Sequence, residues 1–231
     1  MSAAIQILKR DALGRILLCS EGQRCWIRRE IGGVRPWLRP IARHAMRREL
    51  RALWHLAGVP GVPTVLTCER DALDRSLLPG VSLAASAPTG AWFRHARRLL
   101  RALHRRGIAH NDLAKPENWL VLADGTAGVI DFQLAVLGPP RARWLRLMAR
   151  EDLRHLLKHK RTFRPDELSP TELRLLARRS WAARTWRHLV KRLYNLLTRR
   201  VLRWSDREGR GLPAHRPAHR RVQRPGRGDR R

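Results

Sequence analysis

Residues 110–135, HNDLAKPENWLVLADGTAGVIDFQLA, constrain the fold of this chain more than any other stretch. Trp119 to Leu122 and Gly128 to Asp131 are apolar runs of strand length. Ala123-Asp124-Gly125-Thr126 between them carries the Asp-Gly signal of a hairpin turn. Asp112 and Asn118 precede the first run, and Asp131 ends the second. An Asp in a loop is usually a turn residue, so each of these alone says little. An ordered set of them around one hairpin is specific.

Upstream, Ile5 to Leu8 and Ile16 to Cys19 are β-prone runs separated by Arg10-Asp11-Ala12-Leu13-Gly14, a hairpin. A third strand is expected at Cys25 to Ile31, after the turn at Glu21-Gly22. Gly32-Gly33 and Pro36 break that pattern. A helix then fits Ile41 to Ala57, with Met46, Leu50, Leu53, Trp54 and Ala57 as its apolar stripe. Glu49 falls on the stripe. A buried carboxylate without a partner costs several kcal/mol, so Glu49 pairs with a cation unless the helix is rotated to leave it in solvent. Further strands are expected at Thr64 to Cys68 and near Arg75 to Leu78.

The segment 81–90, rich in Ala, Ser and Pro, reads as a linker. Trp92 to Arg106 places Phe93, Ala96, Leu99, Leu100 and Leu103 on one helix face, and Gly107 suits the residue just past its end. Arg141 to Lys158 is a basic helix. Ser169-Pro170-Thr171-Glu172 is a capping-box start, and helical pattern continues to Trp204. From Ser205 almost nothing is apolar, and a disordered basic tail is expected.

The central residues suit phosphoryl transfer, which needs an oriented hydroxyl, neutralised phosphate charge and a divalent metal. Asp112 is placed to orient an acceptor hydroxyl and take its proton. Asn118 and Asp131 offer the hard oxygen ligands that Mg2+ prefers, and Lys115 can offset charge on the phosphate in transit.

His110-Asn111-Asp112 followed by Asn118, and Ile130-Asp131-Phe132 beyond the hairpin, resemble the catalytic loop and metal-binding strand of the protein-kinase-like superfamily. The chain is most similar there to small atypical bacterial kinases, akin to the RIO kinases and the lipopolysaccharide-core sugar kinases. The resemblance implies a two-lobed α+β fold with ATP and Mg2+ in the cleft. Its boundaries would be a β-rich N-lobe at 1–80, a hinge at 81–90, a mainly helical C-lobe at 91–204 and the tail at 205–231. It implies that His110 packs under the loop and that Glu49 pairs with a strand cation. No Lys occupies the Cys25 to Glu30 strand, so Arg28 or Arg29 must serve beside the phosphates. Strand alternation separates these two, and Ile27 makes a better nucleotide roof than Trp26, which favours Arg29.

Other departures matter as much. The glycine-rich loop is reduced to a single Gly14. Asn111 replaces the usual Arg, Gln133 the usual Gly, and the spacing from Asp112 to Asn118 is one residue longer than the pattern. A bulge around Pro116 would absorb that residue. Little room remains for an activation segment between Gln133 and the helices. These features point away from a regulated protein kinase with an extended peptide platform.

Charge bears on the acceptor. The 231 residues carry 49 Lys and Arg against 19 Asp and Glu, a net charge of +30, which attracts anionic partners. High-GC codon usage, which favours Arg, is a second source of that excess. Three readings follow: an atypical serine/threonine-type protein kinase, a kinase of a lipopolysaccharide-core sugar or other membrane glycolipid, and a pseudokinase binding an anionic partner. Trp181, Trp186, Tyr194 and Trp204, interleaved with Arg and Lys, suit an anionic membrane surface. Three scattered cysteines without ligand spacing fit a reducing cytoplasm. No signal peptide and no apolar run near the ~20 residues of a span are apparent. A cytoplasmic protein, peripheral on the inner membrane face in the glycolipid reading, is therefore expected.

Overall fold

Short alternating runs joined by tight turns pair with their neighbours first, and the N-terminal third is such a meander. The computed structural model describes residues 4–177. The continuation of the expected helix from 178 to Trp204, with its four aromatic residues, and the tail lie outside the described residues. Strands β1 (Ala4–Asp11), β2 (Gly14–Glu21) and β3 (Arg24–Glu30) pair antiparallel in order. β4 (Val65–Cys68) and β5 (Ala72–Ser76) complete one sheet in the order β1-β2-β3-β5-β4.

The turn between β1 and β2 is tight. Asp11 pairs directly with Gly14, and the Leu13 amide donates to Asp11 Oδ1 at 2.9 Å. Gly14 has φ 138°, and a Cβ there would collide with the Glu30 carbonyl. Only glycine fits this close backbone approach.

β5 starts and ends earlier than the expected strand near Arg75 to Leu78. Its register on β3, from Trp26↔Ser76 to Glu30↔Ala72, leaves Leu77 and Leu78 outside. Residues two apart share a sheet face. Ile27, Arg29, Leu73 and Arg75 therefore lie on one face, and Arg28 with Asp74 on the other.

Helix α1 (Arg39–His55) packs through Ala42, Met46, Glu49, Leu50, Ala52 and Leu53. Trp54 is 58% exposed and Ala57 is exposed, so the stripe is rotated toward Glu49 relative to the expected one. β6 (Gly80–Ser82) lies at the start of the expected linker and pairs with β8 (Trp119–Leu122). β8 pairs in turn with β9 (Ala127–Val129) across the 123–126 turn. Helix α2 (Gly90–Arg105) is capped by the Thr89 hydroxyl, which accepts from the Trp92 amide at 3.2 Å. Its buried face meets Trp119 and Phe132 in the main core, where Trp92 stacks edge-on against Trp119 at 5.6 Å.

β7 (Ile108–Ala109) pairs with β10 (Val136–Leu137), which brackets the central stretch. From Asp131 to α3 (Arg143–Phe163) the chain makes only a 3-10 turn (Phe132–Leu134), β10 and a short connection through Pro139 and Pro140. Helix α4 (Pro170–Ala177) begins with the expected capping box: Ser169 Oγ accepts from the Glu172 amide, and Glu172 Oε2 accepts from the Ser169 amide at 3.0 Å. The described structure is α+β, a strand-rich N-terminal part followed by helices.

Candidate active site

The loop between β7 and β8 hangs from α3. Asp152, fully buried on that helix, accepts from the His110 amide at 2.8 Å, the Asn111 amide at 3.0 Å and His104 Nε2 at 3.2 Å. Asn111 has φ 63°, a left-handed conformation that Asn tolerates better than most residues. Burial pushes His110 below the ordinary imidazole range and keeps it neutral. Its Nε2–H donates to the Ile130 carbonyl at 3.0 Å, and Nδ1 accepts from the Asp112 amide at 3.4 Å. With both ring nitrogens bonded to backbone and Phe132 packed on the ring at 4.6 Å, His110 orients the loop.

Asp112 stands on that support. Its Oδ2 accepts from Lys115 Nζ at 2.7 Å and from Asn118 Nδ2 at 3.0 Å. Asn118 Nδ2 also donates to the Asp112 carbonyl at 2.9 Å. A 3-10 turn at Pro116–Asn118 takes up the extra residue and brings Asn118 back to Asp112. The Ile130 amide donates to the Asn118 carbonyl at 3.0 Å, which ties the loop to the chain entering Asp131. Asp131 is left-handed at φ 67°, ψ 68°. Its Oδ1 is buried without a hydrogen-bond donor among the described residues, and Arg29 Nη2 lies 3.7 Å away.

The buried carboxylate on α1 meets two cations. Arg29 Nε is 3.0 Å from Glu49 Oε2, and Arg75 Nη1 ion-pairs with Glu49 Oε1. All three side chains are almost wholly buried. Arg28 does not join them. It projects from the opposite sheet face, where Nε contacts Asp74 Oδ1 at 2.7 Å and Nη2 contacts Glu69 at 3.2 Å. Strand alternation puts it on the sheet face away from Glu49, so of the two arginines left open by the sequence only Arg29 meets that carboxylate. Arg48 braces α1 from the next position by donating to the carbonyls of Leu134 at 3.0 Å and Ala135 at 2.8 Å.

The phosphotransferase enzyme family model matches residues 69–149, which include the whole of this loop and Asp131. The Rio2 kinase of Chaetomium thermophilum superposes with a TM-score of 0.57 over 76% of this chain and 62% of its own length, at 15% identity. The chain has a protein-kinase-like fold. A second solved form of that kinase, its complex with ADP, Mg2+ and phosphoaspartate, matches with a TM-score of 0.56 at 15% identity, over 76% of this chain and 61% of that one. The chain thus spans about three fifths of the length of these kinases. No curated protein gives a significant match.

Within the kinase-like fold, Asp112, Lys115 and Asn118 form one cluster and Arg29, Glu49 and Asp131 another, joined through the Asn118–Ile130 bond. Among the described residues no group of three or more His, Cys, Asp or Glu is arranged to hold a metal unaided. The Asp131 carboxylate and the Asn118 amide still fit Mg2+, which takes few protein ligands and completes its shell with phosphate oxygens and water. The buried Oδ1 of Asp131, with an arginine nearby but no hydrogen-bond donor among the described residues, leaves an acceptor that suits such a cation. Sequence reasoning missed Arg75 and Asp152. Asp152 carried a signal: it recurs with Leu145, Met148 and Leu156 at helical spacing, a carboxylate on an apolar face just as Glu49 is.

Proposed function

We propose that the chain is an ATP- and Mg2+-dependent phosphotransferase, an atypical serine/threonine-type protein kinase that moves the γ-phosphate of ATP to a hydroxyl. The observation that carries this reading is Asp112, held by Lys115 and Asn118 and coupled through one backbone bond to an Asp131 with an unsatisfied buried oxygen. Lys115 and Asn118 engage Asp112 Oδ2, so Oδ1 faces the task of orienting the acceptor hydroxyl and accepting its proton. The acceptor oxygen then bonds to the γ-phosphorus, and the bond to ADP breaks. Lys115 offsets charge on the group in transit. Arg29, oriented by Glu49, contacts the ATP phosphates through its outer nitrogens, as a guanidinium fork allows. Asn118 and Asp131 would hold Mg2+, which supplies neutralisation of the phosphate oxygens.

Mg2+-dependent ATP hydrolysis by the full chain tests the reading. Asp131→Ala and Asp112→Ala are each expected to lower it at least about a hundredfold. A wild-type chain that binds no ATP with Mg2+ would refute the enzyme, and one that binds without turnover would make it a pseudokinase.

One observation favours a glycolipid acceptor. Trp144 and Leu147 are half-exposed among Arg143, Arg146 and Arg150 at the start of α3, and Met148 beside them touches Asn111. An apolar ridge ringed by arginines next to the catalytic loop suits an anionic lipid surface. Among the described residues no helix is long and apolar enough to cross a membrane. Incubation with labelled ATP and either lipid extract or protein lysate separates the acceptors: label confined to glycolipid would exclude the protein-kinase reading.

A further inference from the structure

Arg75 has no role in the reaction drawn above, yet it occupies an expensive position. It projects from β5 into the interior and takes one oxygen of a carboxylate whose other oxygen already meets Arg29. Burial, with Arg29 close by, lowers Arg75 to about 10, so it remains charged at neutral pH. One carboxylate and two guanidinium groups leave the buried trio with one net positive charge. Asp131, 3.7 Å from Arg29 Nη2, faces that charge, so removal of Arg75 would leave two carboxylates against one guanidinium group. The N-terminal hairpin offers little to phosphates by comparison, since its turn is closed between Asp11 and Gly14 and holds a single glycine.

We propose that Arg75 is a positioning residue for the nucleotide phosphates. By ion-pairing with Glu49 Oε1 it keeps the carboxylate in place beside Arg29 Nε, 3.0 Å from Oε2. Arg29 Nη2 already lies toward Asp131, where the metal and phosphates are expected. The net charge of the trio, buried and poorly screened, then does part of the work that backbone amides do in a glycine-rich cradle. The inference rests on the kinase reading and deepens it: the site selects its ligand by phosphate charge more than by the nucleoside.

Calorimetric titration of the full chain with ATP, ADP, AMP and adenosine, each with Mg2+, tests it. Wild-type affinity is expected to rise with each phosphate. Arg75→Met should weaken ATP about tenfold and adenosine less than about twofold, because the removed charge acts only on charged ligands. Arg75→Lys, which keeps the charge, should hold the ATP-to-adenosine ratio within about threefold of wild type. The double variant Glu49→Gln with Arg75→Met leaves Arg29 as the single cation and restores one net positive charge, so most of the lost ratio should return. A purely structural Arg75 predicts otherwise: equal losses for ATP and adenosine, no rescue by lysine, and a worse double variant. Any of these overturns the proposal, as does an unchanged ratio in Arg75→Met. If the methionine variant does not fold, Arg75→Gln keeps a donor for Glu49 without the charge and is read in the same way. A wild-type chain without affinity for ATP refutes the kinase reading itself, whereas phosphate-dependent binding that survives loss of Arg75 refutes only this inference.

Discussion

Replacing Asp152 with Asn should loosen the loop between β7 and β8 without opening a cavity. The two carboxylate oxygens divide the loop between them: Oδ2 accepts from the His110 amide and His104, and Oδ1 accepts from the Asn111 amide. A carboxamide of the same shape has one acceptor oxygen. Whichever way it turns, its NH2 group faces one of those backbone N–H groups. A buried donor left unpaired costs about 1–3 kcal/mol, and the surviving bond loses its charge assistance, roughly 1 kcal/mol more. The total is about 2–4 kcal/mol, which for a domain of this size lowers Tm by about 4–15 °C. Urea unfolding at neutral pH measures the first figure, and amide hydrogen exchange at His110 and Asn111 locates it. Protection there should fall by more than at the β8 and β9 amides. An Asn variant within about 0.5 kcal/mol of wild type would refute the claim that α3 carries the loop.

Two further outcomes follow from burial and backbone geometry. His155 is held at about 4 in the fold, against an ordinary 6.5, chiefly by burial. The unfolded chain therefore takes up its proton first on acidification. Stability should fall as pH drops from about 6.5 to about 4, by up to about 3 kcal/mol from this group, with buried His110 and half-buried His159 shifted in the same direction. The urea midpoint at pH 7 and pH 4.5 checks the sign, and His155→Gln should flatten the slope. Gly107→Ala is expected to cost about 1–3 kcal/mol in the same assay, since φ is 74° and a Cβ would strike the Gly138 carbonyl at the β7–β10 bracket.

The parts legible in the sequence were those written in local pattern. The 123–126 hairpin, the α2 face, the Ser169 capping box and the glycine closing α2 each follow from residues within a few positions of one another. Glu49 stood out because a carboxylate on an apolar stripe demands a partner, and the structure pairs it. Arg75 was hidden for a different reason. The apolar pair Leu77-Leu78 drew the expected strand downstream, and only the register of β5 on β3 puts Arg75 opposite Ile27. Register is set by pairing across forty-odd residues of chain, which no local window contains. β6, β7 and β10 are two or three residues long and have no periodicity to read. The Ala- and Ser-rich composition around β6 suggested a linker, although its backbone pairs fully with β8.

The brace from Arg48 has an unequal dependence on sequence. At one end it requires a particular side chain, the arginine on α1. At the other end it grips only main-chain oxygens, those of Leu134 and Ala135. Every amino acid supplies such an oxygen, so the side chain at position 134, 48% exposed beside the loop that carries Asn111, can change without releasing the helix. The rim of the site is thereby uncoupled from its frame. A lineage could alter what that rim touches, one residue at a time, and keep the same alignment of α1 throughout.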